Sequence, residues 1–148
     1  MGEIQQLDIN HWILRLIAFV IDSITLTIIT WIITIGGRLW VGPWLMFLIS
    51  GVLMIAYSAF AEANWEGATL GKRLIGLKVQ TIDGKKISLD KALVRNISKI
   101  YPVLPLIDWI IGIATPGDDR RQKYTDRIVG TTVVQVSEPF ASFTSAKK

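Results

Sequence analysis

Apolar residues fall into three long runs, and segments rich in charge follow the second and the third. In the first, Leu16 to Ile35, twelve of twenty residues are Leu, Ile, Val or Phe, and the one charge is Asp22. A helix rising about 1.5 Å per residue reaches roughly 30 Å over this length, the thickness of a bilayer's hydrocarbon core. Each large apolar residue contributes about −0.3 to −0.6 kcal/mol to insertion, against about +3 kcal/mol for a central Asp, so the run inserts despite Asp22. Gly36 and Gly37 then supply a helix stop. The second run, Leu39 to Ala61, carries no charge and is bracketed by Arg38 and Glu62. Pro43 suits its first turn, and Trp40 and Trp44 suit the membrane interface. The third, Ile100 to Gly117, holds Asp108 and is interrupted by Pro102, Pro105 and Pro116.

This pattern predicts an all-α polytopic membrane protein. Two full transmembrane helices cover about residues 13–35 and 39–62. A third segment, about 97–116, is either a further span or a re-entrant hairpin broken near Pro102 to Pro105. Residues 1–136 form one membrane domain. Residues 137–148 read as a flexible tail. The first run is not expected to be a cleavable signal: Met1 to Asn10 holds Glu3 and Asp8 and no basic residue, and no small-residue cleavage site follows.

Polar segments add a small β-element. Leu77 to Thr81 alternates as a strand does, Asp83-Gly84 is a hairpin turn signal, and Ile87 continues a return strand. Ser88 can cap a helix running to Ile100. Thr131 to Val136 reads as another strand, which can join the hairpin if the C-terminus is cytoplasmic. Trp65, Leu70, Leu74 and Ile75 interleave with Lys72 and Arg73, the pattern of a short surface helix whose cations contact lipid phosphates.

Composition agrees with a membrane class: 51% of residues are hydrophobic and 19% charged, below the roughly 25% charged of soluble domains. The net charge is +4, and its distribution matters more than its size. Eight Lys and Arg lie between Asn64 and Lys99, six follow Gly117, and only Arg38 lies between the first two spans. Positive segments stay cytoplasmic, which orients the N-terminus and the 64–99 segment to the cytoplasm of a multi-pass cell-membrane protein. A third full crossing would export six basic residues, so the hairpin is favoured.

The ordered motifs resemble the RDD family, named for one Arg and two Asp. Arg15 and Asp22 sit in Trp-Ile-Leu-Arg-Leu-Ile-Ala-Phe-Val-Ile-Asp as that family's first Arg and Asp do. The run from Gly67 through Thr69, Gly71, Lys72, Arg73 and Gly76 resembles its TLGKRLLGL-type segment. Asp83-Gly84 and Ala92 to Asn96 with Arg95 follow in order. Gln122 to Val134 resembles the closing motif, so the second Asp is carried over to Asp126. The likeness runs from about Trp12 to Val136, and Asp108 departs from the pattern. The resemblance implies a transport-linked membrane protein, some members being similar to sodium/proton exchangers.

Ionised groups in apolar segments are costly and mark candidate sites. Arg15, Asp22, Asp108 and Asp126 are the intramembrane or ion-binding candidates, with Glu62 and Arg95 as supporting charges. Arg15 and Asp22 share a helix face but stand about 10.5 Å apart along it, too far for a direct bond. Arg15 is expected to meet Asp126 or Glu62, and Asp22 to meet Arg95. A charge swap of Arg15 with Asp126 should restore folding if the two pair. Two readings stand beside each other: carboxylates that exchange a proton for a cation, and an ion-pair network that fixes helix packing. Ser23, Thr27, Thr30 and Thr34 form a stripe that either lines a polar path or bonds back to its own helix.

Other chemistry is excluded or weak. The chain has no Cys and one His, His11, which removes disulfides, thiolate metal sites and most histidine catalysis. Gly67 to Arg73 is too short for a P-loop and lacks the Ser or Thr after Lys72. Asn96-Ile-Ser98 is a glycosylation sequon that a cytoplasmic position leaves unused. Asp118-Asp119 reads as a solvated turn. The basic segments lack interleaved stacking aromatics, so no nucleic-acid partner is expected. No cofactor, metal or enzymatic activity is expected. The leading functional expectation is monovalent cation/proton exchange by intramembrane carboxylates. Few helices enclose little space, so a homo-oligomer or larger membrane partner is expected, with anionic lipids around it. The alternative is a non-transporting adaptor that docks a partner or anionic lipid through its basic segments.

Overall fold

The computed structural model describes residues 9–36, 42–115, 117 and 119–136. The expected tail at 137–148, together with Gly37, Arg38, Trp40, Pro116 and Asp118, lies outside these residues. Two helices are long and apolar enough to cross a membrane: α1 (Ile9–Gly36) and α2 (Pro43–Asn64). Pro43 stands at the first turn of α2, where its missing N–H costs nothing.

The pattern of α1 is inverted relative to a soluble helix. Its buried positions include Arg15, Asp22, Thr30 and Thr34. Its exposed positions include Leu16, Ile17, Ile24, Ile28 and Ile32. A helix turned this way needs an apolar solvent on its outer face, and the polar side chains gain partners only by facing inward.

Beyond α2 the chain folds into a polar head around the first half of α1 and the last turns of α2. Short α3 (Leu70–Ile75) packs on α1. Gly71 permits this contact, since a Cβ there would lie 2.2 Å from the carbonyl oxygen of Ala18. Strand β1 (Leu77–Thr81) follows, then α4 (Leu89–Asn96) and a 3-10 turn (Ile97–Ile100). Helix α5 (Leu104–Ala114), α6 (Tyr124–Val129) and strand β2 (Thr131–Gln135) complete the described chain.

The return strand expected at Ile87 does not form. β1 pairs antiparallel with β2 instead, with Leu77 opposite Gln135 and Val79 opposite Val133. Asp83-Gly84 still makes a tight turn, with Gly84 at φ 78° and the Thr81 amide bonded to the Lys85 carbonyl at 2.9 Å. Ile87 turns inward to join Leu77, Val79, Ala92 and Val133 in the small apolar core. Burying these side chains against one another offsets the long loop that closes the sheet.

The third segment is bent by 112° between Leu89–Ile100 and Leu104–Ala114. The break falls at Tyr101 to Val103, beside the expected proline pair. The eleven residues of α5 rise only about 16 Å, too little to cross a bilayer alone. α6 packs on α4, and β2 on β1, so the chain that leaves α5 returns to the head from which α4 departed. Trp109 of α5 rests on Trp12 and Phe19 of α1, with ring centroids 6.1 and 5.9 Å away.

Candidate functional site: a buried charge network

Five elements bring their charges to one place in the head. Asp126, in the first turn of α6, bridges two arginines. Arg15 Nη2 donates to its Oδ2 at 2.9 Å, and Arg95 reaches Oδ1 from Nη2 at 2.8 Å and Nε at 3.0 Å. Arg95 extends the network: its Nη1 donates to Glu62 Oε2 at 3.1 Å. Asn96 Nδ2 donates to the same oxygen at 2.7 Å, and Lys72 pairs with Glu62 Oε1. Asp126 and Glu62 are fully buried, and Arg95 is 1% exposed.

A second arm runs through Lys123. Its Nζ donates to Asp108 Oδ2 at 2.7 Å and to the Arg95 carbonyl at 2.5 Å. Asp108 also accepts from Ser98 Oγ at 3.0 Å and from the Thr125 amide at 2.9 Å. Gly112 lets this arm close, because a Cβ there would stand 2.6 Å from Lys123 Cα.

Asp22 stands apart. It does not meet Arg95, contrary to expectation. Thr69 Oγ1 donates to its Oδ2 at 2.5 Å, while the Gly71 amide and Tyr57 hydroxyl donate to Oδ1 at 2.8 and 3.2 Å. Tyr57 also accepts the Leu70 amide at 2.9 Å. Asp22 therefore caps the N-terminus of α3 from another helix, satisfying orphan amides with a full negative charge.

Burial shapes the charges outside the two spans. It pushes the Asp126 carboxyl up, but Arg95, Arg15 and Lys123 push it down further and hold it below the usual carboxylate range. Burial pulls the Lys72 ammonium down to about 8 against the opposing pull of Glu62. Burial likewise lowers Lys123.

Lys72, expected to face lipid phosphates, points its ammonium at Glu62. It is 8% exposed and turned into the protein, because an ammonium beside the buried Glu62 removes the cost of leaving that carboxylate alone. Arg73 stays at the surface of α3, with its guanidinium 5.7 Å from the Trp65 ring and bonded to the Trp65 carbonyl at 3.2 Å. Asp108 is buried, with Lys123, Ser98 and Thr125 as its polar partners. In the stripe, the hydroxyls of Ser23, Thr30 and Thr34 donate back to the carbonyls of Phe19, Leu26 and Thr30.

Sequence reasoning missed Lys123, Asn96, Thr69 and Tyr57. Lys123 stood outside every apolar run and counted only toward topology. Thr69 carried a signal, since a Thr just before a helix carrying Gly at its second position marks a close N-terminal approach.

Comparison with known proteins gives the same outline. The model described as RDD family matches residues 10–130. The uncharacterized protein YckC of Bacillus subtilis (strain 168) is 33% identical over 123 residues, covering 80% of this chain and 76% of that protein. No solved structure gives a significant match.

Proposed function

We propose, from the premise that this chain belongs to the RDD family, that it is a non-enzymatic membrane docking module. Its charge network acts as a lock: it holds a β-capped polar head rigidly on a membrane hairpin. The head then presents a fixed basic surface to a partner or to anionic lipid. Lys85 and Lys86 are exposed beside the Asp83-Gly84 turn, and Lys78, Lys91 and Arg73 are half-buried. The density of Lys and Arg favours a cytoplasmic head in the cell membrane.

The observation that carries this reading is the saturation of the carboxylates. Glu62, Asp108 and Asp126 each contact at least one cation. Removing one partner from such a pair costs about 3–5 kcal/mol, so a passing cation would have to displace a bound Arg or Lys. A network of this kind fixes geometry better than it exchanges ions.

Cation/proton exchange is the second reading, favoured by one residue. Asp22 has no cation within salt-bridge distance among the described residues, and only neutral donors hold it.

Proteoliposomes carrying a pH gradient separate the two. The docking reading expects no protein-dependent movement of sodium, potassium or protons, and co-purification with a membrane partner or homo-oligomer. Ion flux that disappears in a folded Asp22→Asn variant would replace it with the exchanger.

A further inference from the structure

α1 and α2 diverge from the head and leave between them a cleft of about 1100 Å³. Its walls are apolar, with Phe19, Ile24 and Trp31 on one side and Met46, Phe47 and Met54 on the other. The hydroxyls of Ser23, Thr30 and Thr34 line it too, but they donate to their own helix. One charged residue reaches it: Lys99, from the 3-10 turn of the head.

Lys99 differs from every cation of the network. Lys72, Lys123, Arg15 and Arg95 each face a carboxylate within 4 Å. Lys99 Nζ donates only to a neutral hydroxyl, Ser58 Oγ at 2.8 Å, and no carboxylate pairs with it among the described residues. An ammonium at the edge of an apolar cleft is costly without a counter-ion. Glu62 and Asp22 attract it only from beyond bonding distance, and their oxygens are already held by Lys72, Arg95 and Asn96 and by Thr69, Gly71 and Tyr57.

We propose that this cleft binds an anionic phospholipid, its phosphate at the Lys99 ammonium and its acyl chain along the walls of α1 and α2. The length fits. From Phe19 to Ile35 the cleft wall runs about 24 Å of helix, more than the roughly 15 Å depth of one leaflet's hydrocarbon. A chain anchored at Lys99 can therefore lie within it along its length. A second copy of this chain fits less well. Its described membrane-level carboxylates, Asp22, Glu62 and Asp108, are all engaged within their own chain, so it brings no counter-charge to Lys99. The proposal stands independently of the docking function argued above.

The test is native mass spectrometry of the full-length protein released from detergent in the presence of phosphatidylglycerol, phosphatidylcholine or inorganic phosphate. Phosphatidylglycerol is expected to be retained about tenfold more strongly than phosphatidylcholine, with inorganic phosphate not retained. Lys99→Gln should abolish that preference. Ser50→Trp, which narrows the cleft without touching the charge, should weaken retention of both lipids. The melting temperature of each variant in detergent reports whether it folds; if neither folds, the comparison of the two lipids on the native protein decides. Equal retention of the two lipids overturns the proposal, as does undiminished phosphatidylglycerol binding by Lys99→Gln. Retention of inorganic phosphate alone does the same, since it leaves the apolar walls without a role. The chain has no cysteine of its own, so Thr27→Cys offers a clean cross-linking site. An inter-chain disulfide there that forms in place of lipid binding would assign the cleft to a second copy.

Discussion

Arg15 and Asp126, 111 residues apart in sequence, form a buried ion pair 2.9 Å long that ties the first membrane helix to the last helix of the head. The pair is not isolated, because Arg95 holds the other oxygen of the same carboxylate. This changes what a charge swap does. Arg15→Asp combined with Asp126→Arg would set two guanidinium groups, at 95 and 126, against each other with no solvent between them. The swap is therefore expected not to restore folding, although the residues pair. A double-mutant cycle of Arg15→Met and Asp126→Asn is the informative measurement. Each single change should cost about 3–5 kcal/mol in detergent unfolding. Their coupling energy should fall at about 1–3 kcal/mol; simple additivity would show that the contact is not formed.

Gly71 should be intolerant of any side chain. A Cβ there meets the Ala18 carbonyl and crowds the Asp22 carboxyl carbon at 3.1 Å. Gly71→Ala should cost about 1–3 kcal/mol by forcing α3 off α1. Gly42→Ala, where nothing lies within 4 Å, should change stability little. Comparing the melting temperatures of the two variants checks this. Equal values would mean that α3 does not pack as closely as described.

Acid should weaken the lock. The Asp126 carboxyl in the folded state lies below its ordinary value of 3.8. As pH falls, the unfolded chain takes up this proton first. The contribution of Asp126 is thus fully present above that value and is lost as pH drops through it toward the folded value. Unfolding midpoints measured from neutral pH down to about 3 should fall more steeply for the native protein than for Asp126→Asn. Parallel curves would remove Asp126 from the acid response.

The bent segment should loosen when Lys123 is removed. Lys123→Ala leaves Asp108 without its cation and the Arg95 carbonyl with Thr125 Oγ1 as its remaining side-chain donor. We expect a loss of about 3 kcal/mol and faster hydrogen exchange in α5 than in α1. Unchanged exchange in α5 would show that the remaining contacts of Asp108 and Trp109 hold it without Lys123.

Much of this architecture was legible along the chain. The lengths of the first two apolar runs, the proline break in the third and the RDD-like motifs follow from local composition. Hydrophobic span length is a one-dimensional property, and so is the cost of placing Asp22 within it. The strand at Leu77 to Thr81 and the turn at Asp83-Gly84 were legible for the same reason.

Partnership was not. Sequence spacing marked Arg15, Asp22, Glu62, Arg95, Asp108 and Asp126 as charges needing partners, but a buried charge pairs with whatever the fold brings near, at any separation. Only the tertiary structure decided that β1 pairs with β2 and that Lys72 turns inward to Glu62. It also decided that Asp22 caps α3 in place of meeting Arg95, and that Lys123 completes the Asp108 cage. The physical reason is common to all four. Local pattern sets which groups must leave water, whereas the low-dielectric interior selects the arrangement that satisfies them all at once.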